Sequence, residues 1–272
     1  MEFAAQVSSG VCCCLLLGTL GTVGASGTPQ AESLSKAEAA AKAPATHELT
    51  LEQRADIFMA RKSFADAIDY YGRALRQEAP ASTPAAAAAL WNKMGIAFQQ
   101  ENDYRTARKA YEKALHTNPD SAEAWNNLGT TYFFERKYKK SIKYYQHAVA
   151  LSPSLPSFHV NLGASYTRIK KYPEAVGEYR LALTLDPTIL AEHSSLGTIL
   201  EPLRVDADYF FYLAKVFASL GRAPEAVRYL RRAFEDGFSN FKQLDQDPDF
   251  RKISKDSSYI ALRNSPPGPI KP

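Results

Sequence analysis

An all-α solenoid of antiparallel helix pairs, closed by a helical cap at its C-terminal end, is the fold class this sequence predicts. Three observations lead there. The first is a period: Trp91, Gly95, Ala114 and Pro119 recur 34 residues later as Trp125, Gly129, Ala148 and Pro153, and again as His159, Gly163, Ala182 and Pro187. The second is spacing within a unit. Leu128 and Tyr132, then Ile142, Tyr145 and Val149, fall on one helical face each, so every half-unit reads as an amphipathic helix. The third is size. Gly129, Ser141 and Ala148 are small enough for two helices to approach closely, while Trp125 and Tyr132 fill the space to the next pair. One such pair cannot bury its apolar face alone, so pairs must stack.

The order Trp125, Leu128, Gly129, Tyr132, followed by Ser141, Tyr145, Ala148 and Pro153, resembles the tetratricopeptide repeat (TPR) family. Recognisable copies extend over residues 48–240. The resemblance implies a right-handed superhelix whose concave groove is lined by the first helix of each pair. It also implies a non-enzymatic scaffold that binds a peptide or helix of a partner protein.

Taken in order, the chain begins with an apolar run over residues 11–25, followed by small residues suited to cleavage, so residues 1–27 read as a signal peptide. Residues 1–10 contain Glu2 and no Lys or Arg, which disagrees with a signal and leaves an uncleaved anchor or a misassigned start as alternatives. The expected location is therefore exported, periplasmic or secreted, or else held at a membrane through residues 11–25. A transit peptide would need arginines that this segment lacks, and Ser9-Gly10-Val11 before Cys12 does not match a lipobox. Cys12, Cys13 and Cys14 are the three cysteines of the chain. Nothing downstream can then form a disulfide or a thiolate metal site.

Residues 28–47 lack aromatic side chains and read as a flexible linker. The array should follow in units of about 48–81, 88–121, 122–155 and 156–189, an irregular 190–206, and 207–240. In the first unit Thr50 and Gln53 suit a capping box, and Ala55 replaces the glycine. Ala79 to Pro84 and the five alanines after it predict a longer loop and an extended helix start. Ser121 should cap a helix, Pro173 should sit in a first turn, and Pro119, Pro153 and Pro187 should break the chain between units. After Pro187 the register fails, because Pro202 interrupts a helix carrying His193, Leu196 and Gly197, and a new one starts near Asp208. An inserted helix that bends the stack and a decayed repeat both fit. Gly237 reads as a left-handed helix cap, residues 241–262 as the covering cap, and residues 263–272 as a disordered tail.

No phosphate loop, zinc-protease motif, nucleophile elbow or dinucleotide fingerprint is present, so no catalytic residue, metal, cofactor or small-molecule substrate is expected. His159 and His193 stand where Trp91 and Trp125 stand and read as inter-helix fillers. The formal net charge is +4, and loss of residues 1–27 would make it +5, which argues against a dedicated nucleic-acid binder.

Candidate partner-binding residues are Asn92, Asn126, Asn127, Thr130, Phe133, Phe134 and Asn161. The family implies that an asparagine ladder such as Asn127 and Asn161 holds an extended peptide, since an amide can both donate and accept. Lys93 and Ser195 interrupt that ladder. The carboxylate clamp of co-chaperone relatives is not matched, because Asn92, Ile96, Asn127, Ser157 and Asn161 stand at its positions and Asn127 alone fits. A basic edge of Arg136, Lys137, Lys139, Lys140, Lys143, Arg168, Lys170 and Lys171 should align at the turns inside two consecutive units. Phe210, Phe211 and Tyr212 form a second aromatic group.

Overall fold

A computed structural model describes residues 48–77, 83–190 and 207–270. The readings made above for residues 1–47, 78–82 and 191–206, which include the signal segment, the longer loop and the irregular unit, lie outside the described residues. The described residues from Leu51 onward belong to one compact unit.

Among the described residues the secondary structure is helical throughout. The helices are α1 (Leu51–Ala60), α2 (Phe64–Gln77), α3 (Pro84–Gln100), α4 (Tyr104–Thr117), α5 (Ala122–Phe134), α6 (Tyr138–Leu151), α7 (Pro156–Arg168), α8 (Tyr172–Leu185), α9 (Ala207–Ser219) and α10 (Ala223–Glu235). The closing segment adds α11 (Phe241–Gln246), α12 (Pro248–Arg251) and α13 (Ser257–Asn264). Helices pack in consecutive pairs, α1 with α2 through α9 with α10, and each pair packs on the next. Within a pair the helices are antiparallel. Trp125 stacks on His147 at 4.8 Å while Tyr132 stacks on Tyr144 at 5.0 Å, so numbers rise on α5 as they fall on α6. The first helices α3, α5 and α7 also touch side by side.

Local chemistry sets the boundaries. The Thr83 hydroxyl accepts from the Ala86 amide at 3.2 Å and starts α3 at Pro84, whose missing donor costs nothing there. Ser121 accepts from Ala124 at 3.3 Å, as its position before α5 predicts. Pro173 occupies the first turn of α8. Between the two helices of a unit the chain turns through one left-handed residue: Lys62, Asn102, Arg136, Lys170 and Gly221 all have positive φ. Each turn closes the same way, as when the Lys137 amide reaches back to the Tyr132 carbonyl at 2.8 Å.

The core of each regular pair is a glycine facing a tyrosine sixteen residues later. A Cβ on Gly95 would lie 2.5 Å from the Tyr111 ring, one on Gly129 2.9 Å from Tyr145, and one on Gly163 2.8 Å from Tyr179. Real Cβ atoms do not come that close, so glycine here is a packing requirement. The last pair solves the same contact differently, with Ala214 and Leu230 at the two positions, both fully buried.

The junction into α9 departs from the earlier ones. Tyr104 stacks with Phe134 at 5.4 Å, and Tyr138 lies under the Arg168 guanidinium at 5.6 Å, so α4 and α6 each open on an aromatic ring that receives a side chain from the next unit. Tyr172 instead stacks with Tyr212 at 5.1 Å, seven residues ahead of Ser219, the repeat counterpart of Phe134. Phe211 and Tyr212 belong to this packing, Phe211 being wholly buried and stacked on Phe238 at 4.3 Å. Gly237 has φ +99°, and the Phe238 amide reaches the Ala233 carbonyl at 2.8 Å, ending α10 as the sequence predicts. The closing helices bury Leu244, Phe250, Ile253, Tyr259 and Leu262 in the same core as α8 to α10. The stretch from 263, expected as a disordered tail, is helical to Asn264, and the Ile270 amide donates to the Glu235 carbonyl at 2.9 Å.

Candidate functional site

Three first helices, α3, α5 and α7, carry most of the candidate binding residues. The residue at position 93, 127 or 161 reaches back in each case to the preceding first helix. Lys93 Nζ donates to Glu52 at 2.8 Å and to Asp56 at 2.7 Å on α1. Asn127 Nδ2 donates to Asn92 Oδ1 at 3.0 Å, and Asn161 Nδ2 to Asn126 Oδ1 at 2.9 Å. Asn126 Nδ2 in turn donates to Asn127 Oδ1 at 3.3 Å. Four asparagines thus form one hydrogen-bonded run across three helices. Lys93, which interrupts the ladder in the sequence, makes the same lateral bond with charge instead of an amide. Burial works against the Lys93 charge, but the hydrogen bonds to Asp56 and Glu52 outweigh it and hold the ammonium above its ordinary pKa.

Amide capacity remains. Each asparagine side chain has two N–H donors and an oxygen with two lone pairs. Asn92 uses its oxygen and Asn161 its nitrogen in this run, and both side chains, like that of Asn127, are half-buried. Asn126 is buried. Thr130 accepts from the Tyr145 hydroxyl at 3.0 Å and donates to the Asn126 carbonyl at 3.0 Å, which ties the asparagine face to the core tyrosine beneath it. The run ends at Asn161 among the described residues, because the next first helix, α9, places Phe211 and Tyr212 where α5 has Asn126 and Asn127.

The two phenylalanines are not joined to the asparagines. Phe133 is half-buried, edge-on to Tyr138 at 5.4 Å. Phe134 covers Tyr104 at the turn end of the stack and remains 50 % exposed. The basic edge is also divided by the structure. Lys137 bonds Glu135 at 2.9 Å, Lys171 bonds Glu174 at 3.0 Å, Lys140 lies 5.5 Å from the Tyr132 ring, and Arg168 lies over Tyr138. Glu135 also receives Arg108 at 2.5 Å. Arg136, Lys139 and Lys143 are exposed and meet no carboxylate among the described residues.

His159 is buried, with Nε2 2.9 Å from the Pro153 carbonyl and Nδ1 2.7 Å from Glu178. Trp125 Nε1 donates at 2.8 Å to the Pro119 carbonyl, the same bond one unit earlier. The filler reading of His159 therefore has a physical basis, since imidazole preserves the donor that indole supplies. The missed partner was Glu178, whose contact with His159 follows from no motif and needs the antiparallel pair to bring the two together. Among the described residues no cluster of three or more His, Cys, Asp or Glu side chains could hold a metal, and no helix is long and apolar enough to cross a membrane. A cavity of about 10 Å³ between Thr167, Tyr179, Tyr209 and Leu213 has room for at most one water.

Residues 92–156 and 129–188 match the family model of the tetratricopeptide repeat. No curated protein sequence matches the chain. Among solved structures the chain is similar to MamA, at 19 % identity, covering 70 % of this chain and 96 % of that one with a TM-score of 0.47. It is similar also to the MamA fragment 41-end from Desulfovibrio magneticus RS-1, at 18 % identity, 72 % and 95 % coverage and a TM-score of 0.48. A third is YrrB, titled a TPR protein with an unusual peptide-binding site, at 20 % identity, 79 % and 97 % coverage and a TM-score of 0.46. The 34-residue unit, the glycine–tyrosine contact repeated in three pairs and the family match agree: residues 92–188 of the chain are tetratricopeptide repeats.

Proposed function

We propose that the protein is a non-enzymatic scaffold that holds an extended segment of a partner protein along the asparagine face of α3, α5 and α7. The observation that carries this reading is the amide run from Asn92 through Asn127 and Asn126 to Asn161. An extended peptide offers alternating donors and acceptors, and an amide side chain answers both. Because each asparagine is already held by its neighbour, little side-chain freedom is lost when a peptide arrives. The half-exposed ring of Phe134 supplies an apolar contact at the turn end of the same first helix. Export, or attachment through residues 11–25, remains part of the proposal on the sequence alone.

Selection of binders from a displayed peptide library on the full-length chain, followed by calorimetry on the selected peptide, tests the reading. Replacing Asn127 and Asn161 by Ala removes two amides at about 1 kcal/mol of net hydrogen bonding each, and should weaken binding by roughly thirtyfold. Unchanged affinity in a variant of unchanged helical content would move the binding surface elsewhere.

A further inference from the structure

The helix α6 carries a charge pattern that works against its own stability. Its sequence from Tyr138 to Leu151 contains Lys139, Lys140 and Lys143 and no Asp or Glu. Lys137 at its N-cap makes no side-chain capping bond, and the first turn has no acidic residue. Cations at a helix N-terminus oppose the helix dipole, and Lys139 with Lys143 sets like charges four residues apart on the helix. In the neighbouring second helices charge is mixed. Exposed Glu101, Asp103 and Glu112 lie on or beside α4, and exposed Glu174 lies on α8.

We propose that the exposed face of α6, with Arg136 at the turn before it, is a second docking surface that takes an acidic peptide segment of a partner protein. Arg136, Lys139 and Lys143 are the cations that meet no carboxylate of their own, so they are available to one supplied in trans. Fourteen residues of helix span about 21 Å, the length of roughly six extended residues. The second helices of the neighbouring pairs carry carboxylates of their own, Glu112 on α4 and Glu174 on α8, whereas α6 carries none. A flat anionic membrane, or a nucleic-acid backbone running across several units, would meet those carboxylates as well as the cations of α6. A narrow acidic peptide along α6 avoids them. This surface lies on a second helix, so it operates independently of the asparagine face.

The test uses the full-length protein and a fluorescein-labelled octapeptide of alternating Glu and Asp, followed by anisotropy. Wild type should bind it, with affinity falling steeply as salt rises from about 50 to 500 mM, because exposed charge pairs are screened. The double variant Lys139→Glu, Lys143→Glu should bind about tenfold or more weakly. The control Arg231→Glu, Lys242→Glu makes the same change in net charge elsewhere and should bind as wild type. Thermal unfolding guards against a trivial loss, since acidic residues in the first turns of α6 should leave the melting temperature equal or higher. Asn127→Ala, Asn161→Ala should leave octapeptide binding unchanged, which separates the two surfaces. Failure of wild type to bind, equal loss in the control, or capture of phosphatidylserine vesicles in place of the peptide would overturn the proposal.

Discussion

Gly129 shows how a single residue sets the helix approach. Alanine there would ordinarily favour a helix by about 1 kcal/mol, but its Cβ would lie 2.9 Å from the enclosed Tyr145 ring. Overpacking costs typically 1–3 kcal/mol and should win, so Gly129→Ala is expected to lower stability by about 1–2 kcal/mol in denaturant unfolding. The last pair supplies the remedy, because Ala214 and Leu230, both fully buried in one core, stand at the same two positions. Adding Tyr145→Leu to Gly129→Ala should therefore recover part of the loss, a coupling that a double-mutant cycle reads directly. The left-handed turn residues make a second prediction. Lys62 sits at φ 60°, where a side chain costs about 1 kcal/mol, whereas Asn102 at φ 62° tolerates the conformation better. Lys62→Gly should raise the melting temperature by roughly 2–4 °C and Asn102→Gly by much less.

Between elements, Glu135 is the most loaded contact. It stands in the turn from α5 to α6, hydrogen bonded to Lys137 at 2.9 Å and to Arg108 of α4 at 2.5 Å. Burial works against its charge, but Lys137 first and then Arg108 outweigh it and hold the carboxyl below its ordinary pKa. A carboxyl lowered in the folded state contributes stability above the unfolded value, near 4.3, and loses it as pH falls through the folded value. Wild type should thus lose stability on acidification through that window, and Glu135→Gln should be less stable near neutrality but flatter below about pH 4.3. Urea unfolding across pH 3 to 7 measures both. Lys137 is held by Glu135 in this way while Arg136 beside it is not, which is why the basic edge divides into paired and available cations.

At the scale of the whole molecule, the stack is regular from α3 to α8 and changes at α9. Period, helix breaks and the small residues that let a pair close were legible from the chain, because a 34-residue repeat encodes local contacts that recur unaltered; that each glycine faces the tyrosine sixteen residues later was not. The turn residues were partly legible: Gly221 could be read as left-handed, but Lys62, Arg136 and Lys170 carry no such mark and adopt the conformation because the pair geometry demands it. The candidate site divides along the same line. That Asn127 and Asn161 occupy the same place in consecutive units, with Asn92 and Asn126 nearby, followed from the 34-residue period alone. That they bond to one another in a run, that Lys93 makes the equivalent bond to Glu52 and Asp56, and that Phe134 covers Tyr104 required neighbouring units to be set side by side. The changed register at Tyr172 and Tyr212 belongs there too, since the sequence lost its period after Pro187 and packing alone chose the new partner. Sequence by itself determined the repeated unit and its small positions, which recur every 34 residues. Tertiary structure decided which side chains are spent on holding units together and which remain available to a partner, because that depends on contacts between hairpins that no spacing in the chain records.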